Sequence, residues 1–140
     1  MSLHLYSEIP GLTIKAGHTN IKWLKDVIKS EQGDVGNINI ILVTDKELLR
    51  LNKSFLNRDY LTDVISFDYS EGKTISGDIY ISYDRVKENA KDLNLDVESE
   101  LHRVMVHGAL HLLGYNDVSP SDKKLMTSKE DHYLARRPSA

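Results

Sequence analysis

The chain contains no cysteine. A disulfide framework and a thiolate metal site are therefore excluded, and any tightly held metal must rest on His, Asp or Glu. No apolar run is long enough to span a bilayer, so no membrane association is expected. The opening Met1-Ser2-Leu3-His4-Leu5-Tyr6-Ser7-Glu8 has neither the cationic nor the apolar region of a secretory signal, and a cytoplasmic location is expected by default. Positive charge is not in excess. The formal net charge is -3, so the electrostatic footprint of a basic nucleic-acid binder is missing. Lys22, Lys25 and Lys29 share one helical stripe, which reads as a solvated face. There is no internal repeat and no low-complexity tract. What remains is 140 residues, a length that suits one domain with one core over 1–140.

Periodicity places the elements. Leu3 to Glu8 and Thr13 to Lys15 read as short strands around the Pro10-Gly11 turn. Thr19 reads as a cap for an amphipathic helix through Ile21, Leu24, Val27 and Ile28, with Gly33 and Gly36 ending that region. Asn37 to Val43 reads as a mostly buried strand. Thr44 caps a helix through Leu48, Leu49 and Leu51, and Asn52 to Leu61 reads as polar and irregular. Val64 to Phe67 and Ile79 to Ile81 are two more strands, separated by the loop Ser70 to Lys73. Val86 to Leu93 is a helix. Asp96 caps a central helix with Glu98 and Glu100 in its first turn, and Ser119-Pro120 opens the last one. Arg136 to Ala140 is expected to fray. The sum is an α+β domain: a small mixed sheet packed with helices around a central buried helix.

That central helix holds the most informative stretch. His107 and His111 stand alone in Val104-Met105-Val106-His107-Gly108-Ala109-Leu110-His111-Leu112-Leu113. A four-residue spacing puts both on one helix face, about 6 Å apart along the axis and within reach of one ion. Gly114 permits the left-handed turn that ends a helix, and Asp117 can return to the same ion as third ligand. Three protein ligands leave a position for water, which is the catalytic rather than the structural pattern. The spacing matches the zinc peptidases written H-E-x-x-H-x-x-G-x-x-H/D, except that Gly108 stands where their general base, Glu, would be. A conventional peptidase mechanism is therefore disfavoured. Residue chemistry alone reaches a metal-dependent hydrolase. An iron oxygenase with a two-His, one-carboxylate triad, or a binding factor with a structural metal, stays open.

The block His107 to Asp117, read HGALHLLGYND, closely resembles the H-G-x-L-H-L-x-G-Y-D-H signature of the YbeY family of bacterial metal-dependent endoribonucleases. Thr62 to Phe67 resembles its T-D-V-L-S-F, Gly77-Asp78-Ile79 its G-D-I, and Leu51-Asn52 its L-N. Met126 and Glu130 resemble the spacing near its end. The resemblance implies a zinc site on His107, His111 and Asp117, cleavage of single-stranded RNA, and maturation of the 3′ end of small-subunit rRNA. The implied partners are the ribosomal small subunit and assembly factors.

Two positions depart from the pattern. Asp117 replaces the family's usual third His, which would raise the pKa of water on the ion and admit manganese or iron. Leu56 replaces an Arg thought to serve the substrate, for which Arg58 or Lys53 could substitute. Asp63, Asp78 and Glu100 are candidates for bonding the ligand imidazoles from behind, since a metal-bound His usually donates its other N–H to a carboxylate or carbonyl. His102 has no partner spacing and is expected on the surface.

Overall fold

The computed structural model describes residues 2–14, 17–56 and 62–137. The chain runs β1 (Leu3–Ser7), α1 (Gly17–Ser30), β2 (Asp34–Val43), α2 (Asp45–Leu56), β3 (Val64–Asp68), β4 (Thr74–Ser82), α3 (Tyr83–Asp92), α4 (Val97–Leu112) and α5 (Pro120–Leu134). The sheet has order β1-β2-β4-β3. β1, β2 and β4 are parallel, and β3 runs antiparallel to β4 with Ser66 opposite Ile79. This is the expected α+β architecture with a mixed sheet.

Strand alternation sends side chains to two cores of unequal size. Ile38, Ile40, Leu42, Ile79 and Ile81 join residues of α1, α3, α4 and α5 in the larger core. Ile41, Val43 and Ile65 point the other way and pack with Leu48 and Leu51 of α2. Ile40 to Val43 are all buried because that stretch of β2 is covered on both faces. α4 lies at the centre of the larger core. Asp96 caps it, accepting from the Ser99 amide at 2.8 Å. Met105, Val106 and Leu110 are fully buried. α5 opens on a Ser119 and Asp122 capping box with Pro120 at its start.

Several local expectations are corrected. Residues 12–14 are irregular rather than a strand, and Lys15 lies outside the described residues. α1 starts at Gly17, which puts Thr19 inside its first turn. β2 starts at Asp34, because Asp34 and Val35 pair with Thr74 and Ile75 before a bulge, so Gly36 lies within the strand. Asn52 to Leu56 continue α2. Asn52 occupies a buried position on its inner stripe, and its side-chain amide donates to Thr62 Oγ1 at 3.2 Å, while its Oδ1 has no hydrogen-bond partner among the described residues. Arg137 does not fray: its guanidinium donates to Asn20 Oδ1 at 3.0 and 2.8 Å. Residues 138–140 lie outside the described ones. His102 is buried against Trp23, not exposed.

Candidate metal centre

The last two turns of α4 present His107 and His111 to the same point. Their Nε2 atoms lie 3.0 Å apart. The helix ends at Leu112. Gly114 takes φ +101, and the Gly114 and Tyr115 amides close the end by donating to the His111 and Leu110 carbonyls, each at 3.0 Å. The reversal brings Asp117 back, with Oδ2 3.4 Å from His107 Nε2 and Oδ1 3.6 Å from His111 Nε2. One ligand atom from each of the three lies within 4.8 Å of the others. A tetrahedral zinc with ligands at about 2.0–2.1 Å needs donor atoms about 3.4 Å apart. The side chains thus stand where one ion would need them. Asp117 is 42% exposed against 20% for His107, so the cluster opens to solvent on the Asp117 side.

Behind His107 stands a carboxylate that the sequence reading did not assign to that role. His107 Nδ1 donates to Glu130 Oε2 at 2.6 Å, across from α5. That bond fixes the proton on Nδ1 and leaves the Nε2 lone pair for a ligand. Glu130 is itself held by Arg103, whose guanidinium donates to Glu130 Oε1 and Asp131 Oδ1 at 2.8 Å each. Burial alone would push His107 down. The Glu130 carboxylate outweighs it, with smaller help from Asp117 and Asp63, and raises the imidazole above its ordinary pKa. His111 is pushed down, by burial first and then by His107. The signal for Glu130 was present in the pattern Met126, Glu130, Tyr133: one acid on an otherwise buried stripe of α5.

Gly108, where a peptidase would carry its base, packs on the sheet. A Cβ there would come 2.7 Å from Ile79 Cγ2, so any side chain at this position would have to displace Ile79. Gly108 thus lets α4 lie close on β4.

Two clefts meet at the ligands. One, of about 470 Å³, runs along β3 past Leu56, Asp63, Ser66, His107, His111 and Asp117. The other, of about 310 Å³, is lined by Asp63, Glu100, Arg103, His107, Asp117 and Glu130. Asp63 and Glu100 are thus brought to the site, though neither has a hydrogen bond to a ligand imidazole among the described residues. Glu100 is buried and its Oε1 has no hydrogen-bond partner. Burial and the nearby Asp63 raise its pKa, against Arg103 and Asn89. Asp78 is not brought to the site. It alternates with Ile79 on β4, so it points away from α4, and its Oδ1 accepts from Asn39 at 3.1 Å. Lys53 is exposed on α2 and lines neither cleft. Arg58 lies outside the described residues. Leu56 puts an apolar side chain in the larger cleft where the family pattern has Arg. The ligands sit on a helix and its following turn, not on barrel strands, which removes the ground for the oxygenase reading.

Comparison with known proteins agrees with this geometry. Residues 13–137 match the family described as Endoribonuclease YbeY. A protein of that name from Flavobacterium psychrophilum is 55% identical over 114 residues, covering 81% of each chain. One from Parabacteroides distasonis is 42% identical over 116 residues, covering 83% of this chain and 82% of the relative. The solution structure of a Thermotoga maritima protein superimposes with a TM-score of 0.69 at 34% identity, over 94% of this chain and 86% of that one. The extent of these matches, over a chain whose helix α4 carries the His107-x3-His111-x2-Gly114-x2-Asp117 pattern, shows that the protein belongs to the YbeY family.

Proposed function

We propose that this chain is a metal-dependent, single-strand-specific endoribonuclease. In this reading it matures the 3′ end of small-subunit rRNA in the cytoplasm, working with the small subunit and its assembly factors. The observation that carries the metal-dependent reading is the convergence of three ligand atoms whose lead imidazole is tautomerically fixed by Glu130. His107, His111 and Asp117 would hold the ion. Zinc suits the donor set, and the carboxylate also accommodates manganese or iron. When bound, the cation supplies Lewis acidity toward a phosphoryl oxygen.

The chain's own residues divide the remaining work. Glu130, held by Arg103, keeps His107 oriented. Asp63, Glu100, Asp117 and Glu130 outnumber Arg103 in the smaller cleft, so without a cation its acid excess disfavours a phosphodiester. Metal dependence should therefore reach RNA binding itself as well as cleavage. The larger cleft runs along β3, the last strand in the sheet order among the described residues, which gives an extended strand a path across His107, His111 and Asp117.

The test compares wild type, Asp117→Ala and Asp117→His for zinc content and for cleavage of single-stranded against duplex RNA. Wild type and Asp117→His are expected to retain metal and Asp117→Ala to lose it. The His variant should also shift the pH–rate profile toward acid, because one negative charge at the ion is removed. Equal metal content in wild type and Asp117→Ala would show that Asp117 is no ligand. A metal-loaded wild type that cleaves no RNA would overturn the ribonuclease reading.

A further inference from the structure

A second cluster of polar side chains stands behind the turn that carries Asp117. Glu31 follows α1 directly, and its side chain is only 11% exposed. Its Oε1 accepts from the Tyr115 hydroxyl. Its Oε2 accepts from the Tyr133 hydroxyl and from Lys129 Nζ, the latter at 3.1 Å. Lys129 also lies 5.5 Å from the centroid of the Tyr115 ring. From these contacts we infer that Glu31 is a positioning residue of the metal centre, holding the Asp117 turn in place through Tyr115. The inference rests on the metal-binding reading above.

The turn needs such an anchor. Gly114 has wide backbone freedom, and Gly114, Asn116 and Val118 are all exposed. Tyr115 is the side chain between them that reaches back into the body of the protein. Its amide donates to the Leu110 carbonyl at 3.0 Å. Fixing Tyr115 therefore fixes the backbone two residues before Asp117. The other two donors to Glu31 come from α5, the helix that sends Glu130 to His107. The Tyr115 bond is thus the arm that reaches the Asp117 turn, and the bonds from Lys129 and Tyr133 fasten Glu31 to α5. The Glu31 charge persists there. Burial opposes ionisation, but the bonds from Tyr115, Tyr133 and Lys129 outweigh it and hold Glu31 below its ordinary pKa. Burial and the bond to Glu31 push the Tyr133 hydroxyl up, so it remains a donor.

A clamp that merely fastens α1 to α5 would use the same carboxylate, so the test separates its two arms. Zinc affinity is measured by competition with a chromophoric chelator in wild type, Glu31→Gln, Tyr115→Phe and Tyr133→Phe. Thermal melts of the metal-free proteins run alongside. Loss of a group that orients ligands costs roughly 10–100-fold in metal affinity. Glu31→Gln and Tyr115→Phe are each expected to weaken zinc by about 10-fold, toward the lower end of that range. They should also shift the visible spectrum of bound cobalt in the same way. Tyr133→Phe is expected to lower the melting temperature while leaving affinity and spectrum at wild-type values. Equal affinities in wild type and Tyr115→Phe, or equal losses in Tyr115→Phe and Tyr133→Phe, would overturn the inference. Tyr115→Phe removes one hydroxyl and keeps the ring, so it decides the matter even if Glu31→Gln fails to fold. A wild type that binds no zinc would instead overturn the metal-binding reading on which the inference rests.

Discussion

His102 and His107 sit five residues apart on one helix, and the two halves of α4 treat them in opposite ways. The first half packs against α1. There the His102 ring meets Trp23 edge-on with centroids 6.1 Å apart, and Nε2 has no hydrogen-bond partner. Burial, with help from Arg137 and against Asp96, drives its pKa down to about 4. It is a neutral core residue at pH 7, so the 3.9 Å approach of Glu98 is not an ion pair there. The second half packs against α5, and Glu130 meets His107 with a carboxylate. Burial is comparable in kind, but the partner reverses its consequence. A histidine's role on a buried helix is set by what the next element carries.

The contrast breaks most severely at the ligand itself. His107→Ala is expected to abolish RNA cleavage and zinc retention, exceeding the roughly 100-fold that loss of a supporting group costs. Cleavage at the wild-type rate by metal-free His107→Ala would remove the centre from the mechanism.

The next effect is on stability and belongs to His102. Its folded pKa lies below the unfolded value of 6.5. The unfolded chain therefore takes up the proton first as pH falls. The stability is fully present above pH 6.5 and is lost as pH falls from there through about 4. The span is up to about 3 kcal/mol, at 1.36 kcal/mol per pKa unit. His102→Leu should flatten the fall in melting temperature between pH 7 and pH 4.5. An unchanged slope would show that other groups carry the acid sensitivity.

Glu130→Gln sharpens the comparison by making His107 more like His102. Zinc affinity should fall by roughly 10–100-fold, because the Nδ1 proton loses its charged acceptor. An affinity within twofold of wild type would show that the carboxylate's charge is not needed.

The smallest effect is at Glu100. Its raised pKa means that its contribution is fully present below the ordinary carboxylate range and declines as pH rises through the folded pKa. Glu100→Gln should accordingly melt higher than wild type at pH 7, with no gain at pH 4. A lower melting temperature at pH 7 would mean that the ionised form is satisfied in the fold.

Much of the site was legible in the sequence because it is local. His107, His111, Gly114 and Asp117 span eleven residues, and helix period and turn chemistry connect them without tertiary information. The caps Thr44, Asp96 and Ser119 were legible for the same reason, since each bonds an amide three residues on. The errors lie where a distant element intervenes. Asp78 sits in a plausible motif, but strand alternation turns it to the far face of the sheet. Asn52 looked like the start of a loop until Thr62 supplied its partner.

By itself the sequence determined the layered α+β class, the helix that carries His107 and His111, and the grouping of these two with Asp117 as a cluster that could hold a metal. Each of these follows from short-range periodicity and residue chemistry. Only the tertiary structure decided which acid supports His107, that His102 is core, and that Gly108 packs against Ile79. Glu130 lies 23 residues from His107, and Ile79 lies 29 from Gly108. No local period encodes contacts at such separations. They exist because burying the apolar faces of α4, α5 and β4 against one another brings those side chains together.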